Sequence, residues 1–133
     1  PSRGLGDVYK RQLLYSFLIT TMPGDEAILL APSWASYEPM LEFIGAVPVH
    51  VPVNMDTFHP DMKAIRGAIT ERTKMILINS PCNPTGAVYP PQELEELAQV
   101  CRDQNVVVIS DEIYALIDFS GRNASRQFCP DVN

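Results

Sequence analysis

A chain of 133 residues, 46% apolar and 20% charged, has the composition of a soluble globular protein and the length of one domain or part of one. Its formal charge of −6, with no local Lys/Arg cluster, argues against nucleic acid or an anionic membrane as partner. Cys82, Cys101 and Cys129 are odd in number and widely spaced, with no CxxC or Cys/His ligand pattern. That suggests neither a disulfide framework nor a zinc site and fits a reducing, cytoplasmic setting best.

Residues Pro1 to Gln12 match no element and read as an assembly artefact or a disordered leader, so the fold is read from Leu13 onward. Lys10-Arg11 followed by Leu13 to Met22 imitates a signal peptide, but the run lacks a small-residue cleavage site and is too short to span a bilayer. It is predicted as a buried helix ending before the turn Pro23-Gly24-Asp25-Glu26. Ala27 to Ala31 is a fully apolar strand of the kind buried on both faces. Pro32-Ser33 then breaks it and caps a helix from about Ala35 to Ile44, with Tyr37, Met40, Leu41 and Ile44 on one face and Gly45 in the left-handed closing position.

Val47 to Val53 is a second strand, and Pro48 and Pro52 suit a sheet edge. Asp61 to Ile69 is an amphipathic helix. Two further strands, Met75 to Ile78 and Val106 to Ile109, flank a helix from Gln92 to Arg102 that Pro90-Pro91 opens. From Phe119 the chain is polar and irregular, and it stops after Asn133 as a truncation would. Strand and helix alternate throughout, the pattern of an α/β fold with a mostly parallel sheet.

The chemistry concentrates where strands end. Ser80-Pro81-Cys82-Asn83-Pro84-Thr85-Gly86 and Ser110-Asp111-Glu112-Ile113-Tyr114 each follow an apolar strand of one βαβ unit, so both lie at the same edge of the sheet. An amide (Asn83), a carboxylate (Asp111) and a phenol (Tyr114) therefore converge there. Trp34, three residues past the first strand, reaches the same edge and can lie flat on an aromatic ring. Asp111 would be costly to bury without a cation or a donor, and a protonated pyridine ring is one candidate. Singly, each motif is more often structural: the first a β-turn, with Cys82 a loop filler, the second a capped strand exit, and Trp34 a core aromatic. Their conjunction carries the reading. His50, His59, Asp25, Glu26 and the helix-face carboxylates Glu93, Glu95 and Glu96 attract no role.

Asn83-Pro84-Thr85-Gly86, Asp111-Glu112-Ile113-Tyr114, the Pro23-Gly24-Asp25-Glu26 turn and Pro32-x-Trp34-x-x-Tyr37 together resemble the pyridoxal-phosphate aminotransferases of fold type I, class I/II. Trp34-Ala35-Ser36-Tyr37 and Thr70-x-x-Thr73-Lys74 are most similar to the bacterial aspartate aminotransferase branch. The resemblance implies that residues 13–133 are part of the family's large domain, truncated at both ends. It implies that Asp111 pairs with the pyridinium nitrogen of pyridoxal 5'-phosphate, that Tyr114 and Asn83 hydrogen-bond the phenolic oxygen, that Asn83 also touches the substrate carboxylate, and that Trp34 stacks on the ring. It further implies a homodimer acting on an amino acid, aspartate being one, and a 2-oxo acid. The family's Ser-x-x-Lys segment, substrate-binding arginine and Gly-rich phosphate loop have no counterpart here. None of Lys10, Lys63 and Lys74 suits the Schiff-base role.

Two other functions remain open at this point. Another reaction of the same cofactor and fold, a carbon–sulfur lyase or a cyclopropane-forming synthase, would share Asn83 and Asp111. An aminotransferase-like domain that senses an effector for a transcription regulator would require a DNA-binding domain upstream.

Overall fold

The structure is a computed structural model that describes residues 5–117; residues 1–4, Cys129 and the irregular tail expected from Phe119 lie outside them. The elements are α1 (Leu5–Thr20), β1 (Glu26–Ala31), α2 (Tyr37–Phe43), β2 (Val47–Pro52), α3 (Met62–Ala68), β3 (Thr73–Asn79), α4 (Pro91–Gln104) and β4 (Val107–Asp111). The strands form one parallel sheet in the order β2-β1-β3-β4. The chain winds outward from β1 to β2, then crosses back to build β3 and β4 on the other side. The winding reverses between β1 and β3, the crevice where open parallel sheets take ligands.

The apolar runs in β1 and β3 follow from burial on both faces. Ile28, Leu30, Ile76 and Ile78 pack with Ile65 of α3 and with Leu94 and Leu97 of α4. The alternate residues Ala27, Leu29, Met75 and Leu77 pack on the opposite face with Leu13 and Phe17 of α1 and with Tyr37 and Leu41 of α2. This two-sided covering is what a parallel sheet requires. Among the described residues, no helix is long and apolar enough to cross a membrane.

Several boundaries move for identifiable reasons. Helix α1 begins at Leu5 rather than Leu13. Tyr9, Leu13 and Phe17, four residues apart, lie toward the second core, while Lys10, Arg11 and Gln12 are exposed. Helix α2 starts at Tyr37, and Ser36 rather than Ser33 stands at its N-cap, without a side-chain capping bond. Gly45 does close that helix, at φ 82°; a Cβ there would also press on Pro23 at 3.1 Å. Strand β2 lies at the sheet edge, as its prolines require. Asp61 caps α3 by accepting the N–H groups of Lys63 at 2.9 Å and Ala64 at 3.1 Å.

Glu26 is not part of a turn; it opens β1 and is buried. Its carboxylate accepts from the Thr70 hydroxyl at 2.5 Å, Arg72 at 2.6 Å and the Thr73 hydroxyl at 3.2 Å. The Thr70 donor above all, then Arg72 and Thr73, outweigh desolvation and hold the Glu26 carboxyl below its ordinary value. A carboxyl depressed on folding stabilises the protein above its unfolded value, about pH 4.3, and loses that contribution as pH falls through the folded value. Glu26→Gln is expected to flatten the acid limb of a stability-versus-pH curve measured by urea unfolding. An unchanged limb would show that the clamp carries no linkage.

Candidate functional site

The site is assembled where β3 and β4 run out together. Asn79 and Asp111 are the last paired residues of their ladder, so the chain leaves both strands at one level. Beyond β3, the loop closes on itself through Gly86 N–H to the Cys82 carbonyl at 2.7 Å and Cys82 N–H to the Ala87 carbonyl at 2.9 Å. Gly86 turns it at φ 72°, the left-handed region that favours glycine. Asn83 is thereby presented to the cleft, and its Nδ2 donates to the Tyr114 hydroxyl at 3.3 Å.

Asp111 is only 4% exposed, a carboxylate held inside the protein. Its Oδ1 accepts the N–H of Ile113 at 3.2 Å. Its Oδ2 accepts the Tyr37 hydroxyl at 2.5 Å and also the Tyr9 hydroxyl. Burial first, then the Asp111 carboxylate, holds both phenols well above their ordinary value, so both remain O–H donors at neutral pH. Trp34 stands beside them, its ring 5.3 Å from Tyr37 edge-on and 5.9 Å from Tyr9 at a tilt of 36°. A cavity of about 190 Å³ is lined by Trp34, Tyr9, Tyr37, Asn79, Asn83 and Tyr114.

Of the four residues singled out from the sequence, Trp34, Asn83 and Tyr114 line this one cavity, and Asp111 does not line it but is bonded to its Tyr9 and Tyr37 at the carboxyl end of β4. Asn79, Tyr37 and Tyr9 join them unforeseen. Asn79 Nδ2 donates to the Asp111 carbonyl at 2.8 Å, and its Oδ1 accepts the Asn83 N–H at 2.7 Å. The only signal for Asn79 was a polar residue closing an apolar strand. From the sequence, Tyr37 is expected only to pack on a helix face and to belong to the Pro32-x-Trp34-x-x-Tyr37 segment, and Tyr9 lies in the stretch read as a leader.

The lysines divide. Lys74 donates from Nζ to the Glu71 carbonyl at 2.9 Å, near the amino end of β3, and Lys63 belongs to α3. Lys10, in contrast, lines the cleft with its Nζ 5.9 Å from the Trp34 ring centre. Elsewhere the expected solvated face of α4 is divided too. Glu95 is exposed, but Glu93 is two-thirds buried and meets His59 Nδ1 at 2.9 Å through one oxygen. Burial pushes the Cys101 thiol up to about 11, which keeps it protonated and unreactive.

Chemically, the cleft offers an amide–phenol pair and an indole on its wall, with the buried Asp111 acceptor behind its Tyr9 and Tyr37 lining. That set suits a flat heterocycle with a protonated nitrogen at one point and an oxygen at another.

Comparison with known proteins points the same way. The sequence profile of the aminotransferases of class I and II matches residues 9–130. A protein of Thermus aquaticus named as a probable aspartate/prephenate aminotransferase is 44% identical over 117 residues, 87% of this chain and 30% of that protein. The structure of aspartate aminotransferase from Thermus thermophilus with maleate superposes with a TM-score of 0.83 at 43% identity, over 86% of this chain and 30% of that one. YbdL of Escherichia coli, described as having a methionine aminotransferase function, superposes with a TM-score of 0.81 at 28% identity, over 85% of this chain and 30% of that one. The chain thus spans about a third of the length of these relatives. With a profile running through nearly every described residue and the cleft formed by its own strand ends, the chain belongs to the class I and II aminotransferases.

Proposed function

We propose that this chain supplies the ring-binding part of a pyridoxal 5'-phosphate site in an aminotransferase that moves an amino group between an amino acid and a 2-oxo acid. The observation that carries the reading is Asp111, a buried carboxylate whose oxygens accept Tyr9, Tyr37 and the Ile113 N–H, at the same end of the β3–β4 pair as the Asn83–Tyr114 pair. The residues fit the cofactor's ring. Asp111 Oδ2 already accepts O–H donors, and these stand in for the ring N–H it would accept. Asn83 and Tyr114 are within 3.3 Å of each other and can both donate to one phenolic oxygen. Trp34 lines the same cavity and offers a flat aromatic face.

When bound, the cofactor withdraws electrons from the substrate's α-carbon. In this reading Asp111 keeps the ring nitrogen protonated, Asn83 and Tyr114 favour the oxygen's anionic form, and Asn83 also orients the substrate carboxylate. The Schiff-base lysine, the phosphate donors and the substrate-binding arginine are supplied by the remainder of the complete protein. That protein is read as a cytoplasmic homodimer, supported by the free thiols of Cys82 and Cys101 and by the family.

The names of the Thermus relatives support aspartate as amino donor. The Escherichia coli protein carries another substrate on the same local fold, so the choice of side chain is assigned to parts of the protein beyond this cleft. The test is a half-reaction. The complete protein, loaded with pyridoxal phosphate and mixed with aspartate, is expected to accumulate pyridoxamine phosphate and oxaloacetate. No pyridoxamine phosphate with aspartate or with any of a panel of amino donors would remove transamination.

A further inference from the structure

Asn79 does two things with one side chain. Its Nδ2 donates to the main-chain carbonyl of Asp111 at 2.8 Å, and its Oδ1 accepts the main-chain N–H of Asn83 at 2.7 Å. It is 6% exposed, so water does not compete for either bond. Asn79 is also the register partner of Asp111 at the end of the β3–β4 ladder. Its side chain continues the ladder past the point where the main chains diverge and ties the β3 exit loop to the β4 exit. Within the same cleft Asn83 reaches Tyr114, while the carboxylate of Asp111 receives Tyr37.

We propose that Asn79 is a positioning residue that fixes the distance and orientation between the Asp111 carboxylate and the Asn83–Tyr114 pair. Its amide is used on both sides by main-chain groups, so it acts through Asp111 and Asn83. The inference rests on the pyridoxal-phosphate reading, because the two groups it holds together are those that grip opposite points of one ring. A rigid ring requires a fixed separation, and two independent loops would not hold one. Both halves of the amide are needed. An aspartate retains the acceptor for Asn83 but loses the donor and sets a charge against the Asp111 carbonyl. Alanine loses both and leaves a buried carbonyl and N–H unpartnered.

The experiment uses the complete protein and reads cofactor binding rather than turnover. For Asn79→Asp, the dissociation constant of pyridoxal phosphate is expected to rise about tenfold, and the pH at which the bound cofactor's absorption band titrates is expected to move upward. Unfolding midpoints are measured in parallel on the cofactor-free protein. A lower midpoint with an unchanged dissociation constant and an unchanged titration would show that Asn79 is merely structural and would overturn the inference. If Asn79→Asp does not fold, Asn79→Ser, which keeps a short hydroxyl able to meet one partner, supplies the same two readings. Failure of the unmutated protein to bind pyridoxal phosphate would instead sink the parent reading, so the two failures are distinguishable.

Discussion

Asp111→Asn in the complete enzyme is expected to lower turnover by roughly 10²- to 10³-fold, the size seen when one preorganised electrostatic partner is removed from a buried site. The carboxylate's role in the proposed reaction is to hold a ring proton, and an amide of the same shape cannot balance that charge. It can still accept the Tyr37 hydroxyl through its remaining oxygen and loses only the Ile113 N–H bond, so folding should be less disturbed than by alanine. Asp111→Ala is the less informative variant. Tyr37 is 2% exposed and donates to Asp111 Oδ2, so alanine orphans a buried hydroxyl at a cost of about 1–3 kcal/mol. Steady-state turnover at saturating cofactor, read beside the urea midpoint, checks the assignment. Wild-type turnover by Asp111→Asn would show that the carboxylate holds no ring proton.

Leu97→Ala is expected to cost about 2–5 kcal/mol, a large share of the roughly 5–15 kcal/mol that holds a domain folded. Leu97 is fully buried on α4, between the strands that end in the cleft, in the core shared with Ile76, Ile78, Leu94 and Val100. The substitution removes apolar contact and leaves a cavity that close-packed neighbours fill only partly. The urea midpoint should fall with an unchanged slope. A loss below 1 kcal/mol would mean that α4 collapses onto the sheet far more freely than its packing indicates.

What could be read in advance follows from the range of the forces involved. The strand exits were legible because apolar runs buried on both faces must be β1 and β3, and because parallel strands bring Asn83, Asp111 and Tyr114 to one edge whatever the loops do. Gly45 and the prolines of β2 announced a helix stop and a sheet edge through local backbone preference alone. The bonds made by side chains across the fold were not legible. Tyr37 and Asp111 lie 74 positions apart, Asn79 and Asp111 32 apart, and Glu26 and Arg72 46 apart. No periodicity encodes such pairings. The start of α1 was hidden for a different reason: Lys10, Arg11 and Gln12 interrupt the apolar pattern between Tyr9 and Leu13, so the helix looked like a charged leader.

One oxygen of Asp111 already receives two phenolic protons, from Tyr9 and Tyr37. A carboxylate oxygen has about two lone pairs, and both are in use. Any newcomer that offers a proton there must evict a resident, so the gain is the difference between two similar bonds rather than the whole of one. Selectivity at this point then comes from charge: a cation outbids a neutral hydroxyl for the same acceptor, and an uncharged ring of the same outline does not.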